Sequence, residues 1–156
     1  MFREEKPGMK QRADIRRAET ADAKMLSEFD SLVFSDPWSQ KSFSDSISND
    51  SYNIVIAECE GKFAGYAAWS YIFDEANLDK IAVSDSFRKK GVGEYLLSES
   101  EKMLPENVDT FNLEVRESNQ GAVHLYKKCG YEIVGRRKRF YRDPDEDALL
   151  MTKRKG

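Results

Sequence analysis

Two short stretches of this chain combine residue types and spacings that could do chemistry. The first is Arg88-Lys89-Lys90-Gly91-Val92-Gly93, a basic, glycine-bearing run between a strand-like and a helix-like segment. Glycine lets backbone N–H groups close on an anion with no Cβ in the way. The N-terminus of a following helix adds partial positive charge. The chemistry implied is a pyrophosphate held by main-chain amides. A dinucleotide fingerprint would need a third glycine where Leu96 stands, and a P-loop would need Lys-Ser/Thr where Glu94 follows Gly93. Taken alone, the six residues fit a solvated basic turn as well as an anion site. The second stretch holds Glu114, in Leu113-Glu114-Val115-Arg116, and Tyr126 on a later apolar stripe. A carboxylate and a phenol can act as base and acid. Alternation puts Glu114 on the face opposite Leu113 and Val115, whereas Tyr126 read alone fits a core position better.

The elements that must position these groups are legible in the hydrophobic pattern. Ile15 to Arg17 predicts a short strand. Thr20 can cap a helix whose apolar face is Met25, Phe29, Leu32 and Val33. Asp36-Pro37-Trp38 breaks it, and Ser39 can cap a second helix carrying Phe43 and Ile47. Tyr52 to Glu58 and Phe63 to Phe73 flank the turn Glu60-Gly61 as a hairpin. Asn77 to Val83 is a further strand, ahead of the basic turn. A helix follows with Val92, Leu96, Ser100 and Met103 on one face, stopped by Pro105. Thr110 to Arg116 alternates as a strand. Asn119 then caps a helix with Ala122, Leu125, Tyr126 and Cys129 inward, closed by Gly130 as a left-handed C-cap. Tyr131 to Tyr141 and Ala148 to Thr152 form a closing pair around Asp143-Pro144-Asp145. The order β-α-α-β-β-β-α-β-α-β-β predicts an α/β (α+β) fold, a mixed sheet with helices on both faces.

Composition limits the alternatives. A chain of 156 residues fits one domain, here 12–156, behind a charged tail at 1–11 expected to be flexible. A 40% hydrophobic fraction is globular, and a net charge of -3 offers no general attraction to nucleic acid. No apolar run approaches the roughly 20 residues that span a bilayer, and Met1 to Lys10 lacks a signal-peptide core. The expectations are a cytoplasmic chain without membrane or direct nucleic-acid partners, monomeric or weakly dimeric. Cys59 and Cys129 lack CxxC spacing, so two free buried thiols are expected, with no metal. Cys129 has no evident base and reads as core, not as an acyl-carrying nucleophile. His124 falls off the helical stripe and reads as surface. The run Arg136-Arg137-Lys138-Arg139 alternates faces on a strand, so a solvated edge strand fits it better than one basic patch, contact with a cofactor phosphate being the alternative.

With these segments in place, the chain from Met9 onward resembles the GNAT acetyltransferases, whose hallmark after the fourth strand is Arg/Gln-x-x-Gly-x-Gly/Ala. It is most similar to the RimI-type branch, which acetylates the N-terminal alanine of a small-subunit ribosomal protein. The likeness is dispersed over Ser35-Asp36-Pro37-Trp38-Ser39, Asp74-Glu75-Ala76, Ile81-Ala82-Val83, Leu113-Glu114-Val115-Arg116, Ser118-Asn119, Leu125-Tyr126, Arg136-Arg137, Tyr141-Arg142-Asp143-Pro144 and Glu146-Asp147-Ala148-Leu149. The resemblance implies a GNAT fold with a mostly antiparallel central sheet and acetyl-CoA as acetyl donor. It also implies roles. Ile81, Ala82 and Val83 would pair with the pantetheine arm and offer an N–H to the acetyl carbonyl. Arg88, Lys89, Lys90, Gly91, Val92, Gly93 and Glu94 would wrap the pyrophosphate, and Asn119 would bond the cofactor arm. Glu114 matches the family's general base and Tyr126 its general acid. Trp38 would line the peptide entrance, a place where simple packing fits equally well. Two departures concern the acceptor: Phe140 replaces the first tyrosine of a common Tyr-Tyr pair, and Lys80 stands where asparagine is common.

The chemistry agrees with those roles. An α-amine with a pKa of about 8 must shed a proton before it attacks. The tetrahedral oxyanion needs a fixed donor, and the leaving thiolate needs a proton. The expected partners are acetyl-CoA and the N-terminal peptide of a basic ribosomal protein. A lysine or small-amine acetyltransferase, and a non-catalytic acetyl-CoA-binding module, remain as alternatives.

Overall fold

The computed structural model describes residues 13–142 and 144–155. The expected tail at 1–11 and Asp143 of the expected turn lie outside the described residues. Among the described residues there are seven strands: β1 (Asp14–Arg17), β2 (Tyr52–Cys59), β3 (Lys62–Ile72), β4 (Glu75–Val83), β5 (Thr110–Arg116), β6 (Glu132–Tyr141) and β7 (Glu146–Arg154). Four helices accompany them: α1 (Ala23–Val33), α2 (Gln40–Ile47), α3 (Val92–Lys102) and α4 (Gln120–Lys128). The hydrogen-bonded strand order is β1-β2-β3-β4-β5-β7-β6. This is the mixed, mostly antiparallel sheet expected from the sequence. The described residues fall into two compact units, 13–69 with 80–104 and 70–79 with 105–155.

In the first unit, β2 is buried without interruption from Asn53 to Ala57. Such a run forms where both faces of a strand are covered. Ile54 and Ile56 join Ala23, Leu26, Phe43, Tyr66, Ala68 and Ala82 in one core, while Val55 and Ala57 alternate to the other face. On α3, Ser100 accepts the Trp69 Nε1–H at 2.9 Å, and both side chains are fully buried. Burying Phe43 completely contributes about 2–3 kcal/mol. Ser39 caps α2 as expected, its Oγ accepting the Ser42 N–H at 3.0 Å.

Two expectations for α1 need correction. Thr20 lies in a short 3₁₀ turn, Thr20–Asp22, and Asp22 is the residue before the helix. Leu32 is 87% exposed, and the buried stripe is Ala23, Leu26 and Asp30. A carboxylate can occupy that stripe because its oxygens are saturated. Tyr66 donates its hydroxyl to Asp30 Oδ1. The Trp38 N–H and Lys80 Nζ reach Oδ2 at 2.8 and 2.5 Å. Lys80 also lies over the rings of Phe34 (4.6 Å) and Trp38 (5.0 Å) and donates to the Asp36 carbonyl at 3.3 Å. The lysine that replaces asparagine is thus engaged in holding the loop after α1.

In the second unit, β5 is the organising strand. It runs parallel to β4 over Glu75–Leu78 and antiparallel to the length of β7. Phe111, Leu113 and Val115 are buried while Asn112, Glu114 and Arg116 are half-exposed, as the alternation predicts. Gly130 follows α4 with φ +100°. The buried centre of α4 is Val123 and Tyr126, with Ala122, Leu125 and Cys129 half-buried beside it. The expected stripe is therefore turned by one residue. His124 is exposed. Strand β6 is the exposed edge of the order, and its register with β7 shifts between Arg137 and Tyr141.

Candidate active site

The residues expected to bind an anion belong to the first unit. Gly91 sits before α3 with φ +81°, a left-handed conformation that costs a residue with a Cβ about 1–2 kcal/mol. Its side-chain-free position leaves the first turn of α3 with no side-chain cap. The opening N–H groups of a helix point outward and attract anions. Lys89 is also left-handed, at φ +60°. The cations are tied back to the turn itself: Arg88 Nε donates to the Val83 carbonyl at 3.2 Å, and Lys90 Nζ to the Ser86 carbonyl at 3.0 Å. These bonds brace the loop. Val92 is buried, while Gly91, Gly93 and Glu94 are half-exposed. Ile81 and Val83 are half-buried and Ala82 is buried. The pairing of β4 with β5 runs from Glu75 to Leu78, so that ladder does not use their backbone groups. Gly65 packs there against the main chain, because a Cβ would lie 2.5 Å from the Ala82 carbonyl oxygen.

The second unit holds a cavity of about 660 Å³. Glu114 lines it, beside Asn77, Asp79, Asn112 and Thr152 on the strand floor and Arg137, Phe140 and Tyr141 from β6. The floor follows from register. Glu114 pairs with Leu150 and Asn112 with Thr152, so these side chains share the face that Leu113 and Met151 leave. Thr152 Oγ1 bonds Asn112 Oδ1 at 2.7 Å. The β6 wall follows from the irregularity. Arg139 has φ +50° and donates its N–H to Asp147 Oδ1 at 2.9 Å. This bulge lets Phe140 and its neighbour Tyr141 both line the cavity, which strict alternation forbids.

Arg137 Nη2 lies 3.3 Å from Glu114 Oε1, at side-chain exposures of 54% and 30%. Expected as part of a solvated edge, this arginine instead reaches the proposed base. Arg136 keeps to the edge, pairing with Glu117 at 2.5 Å and Asp147 at 3.3 Å. Arg116 stacks on Tyr141 at 4.6 Å and pairs with Glu146 at 3.3 Å. Burial, with the Glu114 charge next, pushes the Tyr141 phenol up to about 12.

Tyr126 is 7% exposed, stands edge-on to Tyr131 at 6.0 Å and does not line this cavity. Burial, then the influence of Tyr141, pushes its phenol up to about 12. The Tyr141 ring thus lies within electrostatic reach of both Glu114 and Tyr126. Asn119 is held as the cap of α4, its Oδ1 accepting the Ala122 N–H at 3.2 Å. Cys59 is buried and its thiol is pushed up by burial, whereas Cys129 is only half-buried; neither forms a disulfide among the described residues.

The model of the acetyltransferase (GNAT) family matches residues 23–131, which include the turn, Glu114 and Tyr126. The chain belongs to the GNAT acetyltransferase family. This GNAT enzyme is 33% identical over 144 residues to the [ribosomal protein bS18]-alanine N-acetyltransferase of Escherichia coli strain K12, covering 88% of this chain and 95% of the relative. It is 30% identical over 165 residues to an N-alpha-acetyltransferase of Sulfurisphaera tokodaii, covering 97% of each. Among solved structures, the ribosomal-protein-S18-alanine N-acetyltransferase from Escherichia coli superposes with a TM-score of 0.81 at 31% identity, over 93% of this chain and 95% of that one. The GNAT fold and an N-acetyltransferase activity follow. No helix among the described residues is long and apolar enough to cross a membrane.

The sequence reading assigned no role to Asp79; it offered Arg137 only as a solvated edge residue or a cofactor-phosphate contact, and Tyr141 only as the second position of a Tyr-Tyr pair. Only the bulge and the β4–β5 register bring them to Glu114's cavity. The signal open to sequence reasoning was the parallel alternation of Asn77 and Asp79 with Asn112 and Glu114.

Proposed function

We propose that this enzyme transfers the acetyl group of acetyl-CoA to the α-amine of a protein N-terminus, the alanine that begins a small-subunit ribosomal protein, in the cytoplasm. We read 12–156 as one catalytic domain, since the family match runs through both units. The carrying observation is the 33% identity along 95% of the Escherichia coli bS18-alanine enzyme. The uncapped, left-handed entry to α3 suits a diphosphate bound by main-chain amides. Ile81, Ala82 and Val83 would offer backbone groups to the pantetheine arm, and the Asn119 amide its remaining hydrogen-bonding capacity.

In this reading Glu114 accepts a proton from the acceptor ammonium, directly or through a water, and the free amine attacks the thioester carbonyl. A C–N bond forms, the C–S bond breaks, and the CoA sulfur takes the Tyr126 proton. The nitrogen sheds a second proton as the amide forms; of the two protons it loses, one restores Tyr126 and the other leaves to solvent. A phenol at about 12 facing a thiol at about 8.5 makes full transfer uphill by roughly 5 kcal/mol. The proton must therefore move together with C–S cleavage, or remain a strong hydrogen bond to the departing sulfur.

The test is incubation with acetyl-CoA and a basic peptide that begins with alanine. A gain of one acetyl group, mapped by fragmentation to the α-amine, is the expected result. Labelling confined to lysine side chains would overturn the acceptor assignment.

A further inference from the structure

The charged lining of the cavity does not balance. Asp79, Glu114 and Arg137 are the charged residues among those that form its wall, two carboxylates against one guanidinium. Arg137 is paired with Glu114 at 3.3 Å. Among the described residues no cation pairs with Asp79, which lines the cavity. Its backbone position explains the placement. Parallel pairing of β4 and β5 sets Asn77 beside Asn112 and Leu78 beside Leu113. One residue further on, Asp79 takes the same face as Glu114. The other wall groups are amides, two hydroxyls, a thioether and hydrocarbon, none of which neutralises a carboxylate.

We propose that Asp79 is the anionic docking group for the protonated amine of the acceptor, which it holds beside Glu114; this rests on amine acetylation being the chain's reaction. An α-ammonium supplies one positive charge, the amount the lining lacks. It has three N–H donors, enough for Asp79 and Glu114 together, and it can pass one proton on while the Asp79 contact keeps the nitrogen in place. A carboxylate in this position favours cationic acceptors over neutral amides and hydroxyls. The wall around Asp79 already makes its charge costly: burial raises its carboxyl above the usual range, against a hydrogen bond from Ser70 that lowers it. An arriving cation relieves that cost, so the free cavity is poised for one.

The experiment is steady-state kinetics on the full chain with acetyl-CoA and the alanine-initiated peptide, for wild type, Asp79→Asn and Asp79→Glu. Acetyl-CoA affinity, measured separately by calorimetry, reports folding and the donor site. Asp79→Asn is expected to raise peptide KM about tenfold, the effect of one charge-assisted hydrogen bond in a partly open site. Its kcat should stay within threefold and its acetyl-CoA Kd within twofold. Asp79→Glu should recover most of the loss. Wild-type peptide KM should rise between 50 and 500 mM salt, and Asp79→Asn should lose much of that dependence. An unchanged KM in Asp79→Asn overturns the docking role, as does a fall in kcat with KM intact, which would make Asp79 a base. If wild type acetylates no amine at all, the proposed function fails instead, an outcome distinct from either.

Discussion

Lys80–Asp30 and Arg137–Glu114 are both ion pairs between a strand cation and a carboxylate, yet their surroundings differ sharply. The side chains of the first pair are 11% and 0% exposed, and Asp30 also receives bonds from Tyr66 and the Trp38 N–H. The second pair is 54% and 30% exposed, on the wall of a cavity. A buried charge must be fully bonded and becomes costly to expose by losing its partner. A half-open charge keeps solvent on one side and can exchange partners. A cation–carboxylate pair is therefore a fastening in one unit, while in the other it leaves open to solvent the carboxylate proposed as the base.

The largest expected effect breaks the working side. Glu114→Gln should lower kcat by about 10²–10⁴, the range for removing a general base, with acetyl-CoA Kd unchanged. Urea titration should place its stability within about 0.5 kcal/mol of wild type. A large stability loss with activity retained would reverse the contrast. Next is the fastening. Lys80→Met removes the ammonium but keeps much of its length, and should cost about 3 kcal/mol in urea or thermal unfolding by leaving Asp30 short of its cation. If that variant is as stable as wild type, burial does not distinguish the pairs.

Tyr126 sharpens the comparison with a group that is buried yet proposed to react. Tyr126→Phe should lower kcat about tenfold to a hundredfold, with little change in peptide KM. The general acid must be protonated to act, and burial pushes this phenol up to about 12, so it stays protonated across the neutral and moderately alkaline range. The rate should therefore rise with pH as the acceptor amine loses its proton, then level off without falling up to pH 10 or so. A descending limb centred near pH 9 in wild type, absent from Tyr126→Phe, would contradict the upward displacement. The smallest effect belongs to Arg137→Gln. A pair this exposed contributes about 0–1 kcal/mol, so chemical denaturation should barely register its loss.

Much of this fold was legible because hydrophobic periodicity and caps are local signals. Ser39 caps α2, Gly130 closes α4 with a positive φ, and the alternation of β5 turns Glu114 away from Leu113 and Val115. The glycine turn was readable for the same reason: Gly91's left-handed φ is a local demand. The errors arose where distant partners override local polarity. Leu32 belongs to an apolar pattern but is exposed, while Asp30 breaks that pattern and is buried among Tyr66, Trp38 and Lys80. Val123 shares the buried centre of α4 with Tyr126, so offsets alone do not choose the inward face.

By itself the sequence determined the order of elements, the glycine bend before α3 and the two candidate acid–base residues, since each depends on side chains and φ angles within a few positions. Tertiary structure alone decided which groups meet around Glu114. A bulge in β6 brings Arg137, Phe140 and Tyr141 to one wall, and the parallel step from β4 to β5 brings Asp79 to the floor. Register and bulges are set by pairing between strands far apart in the chain, and no local spacing encodes them.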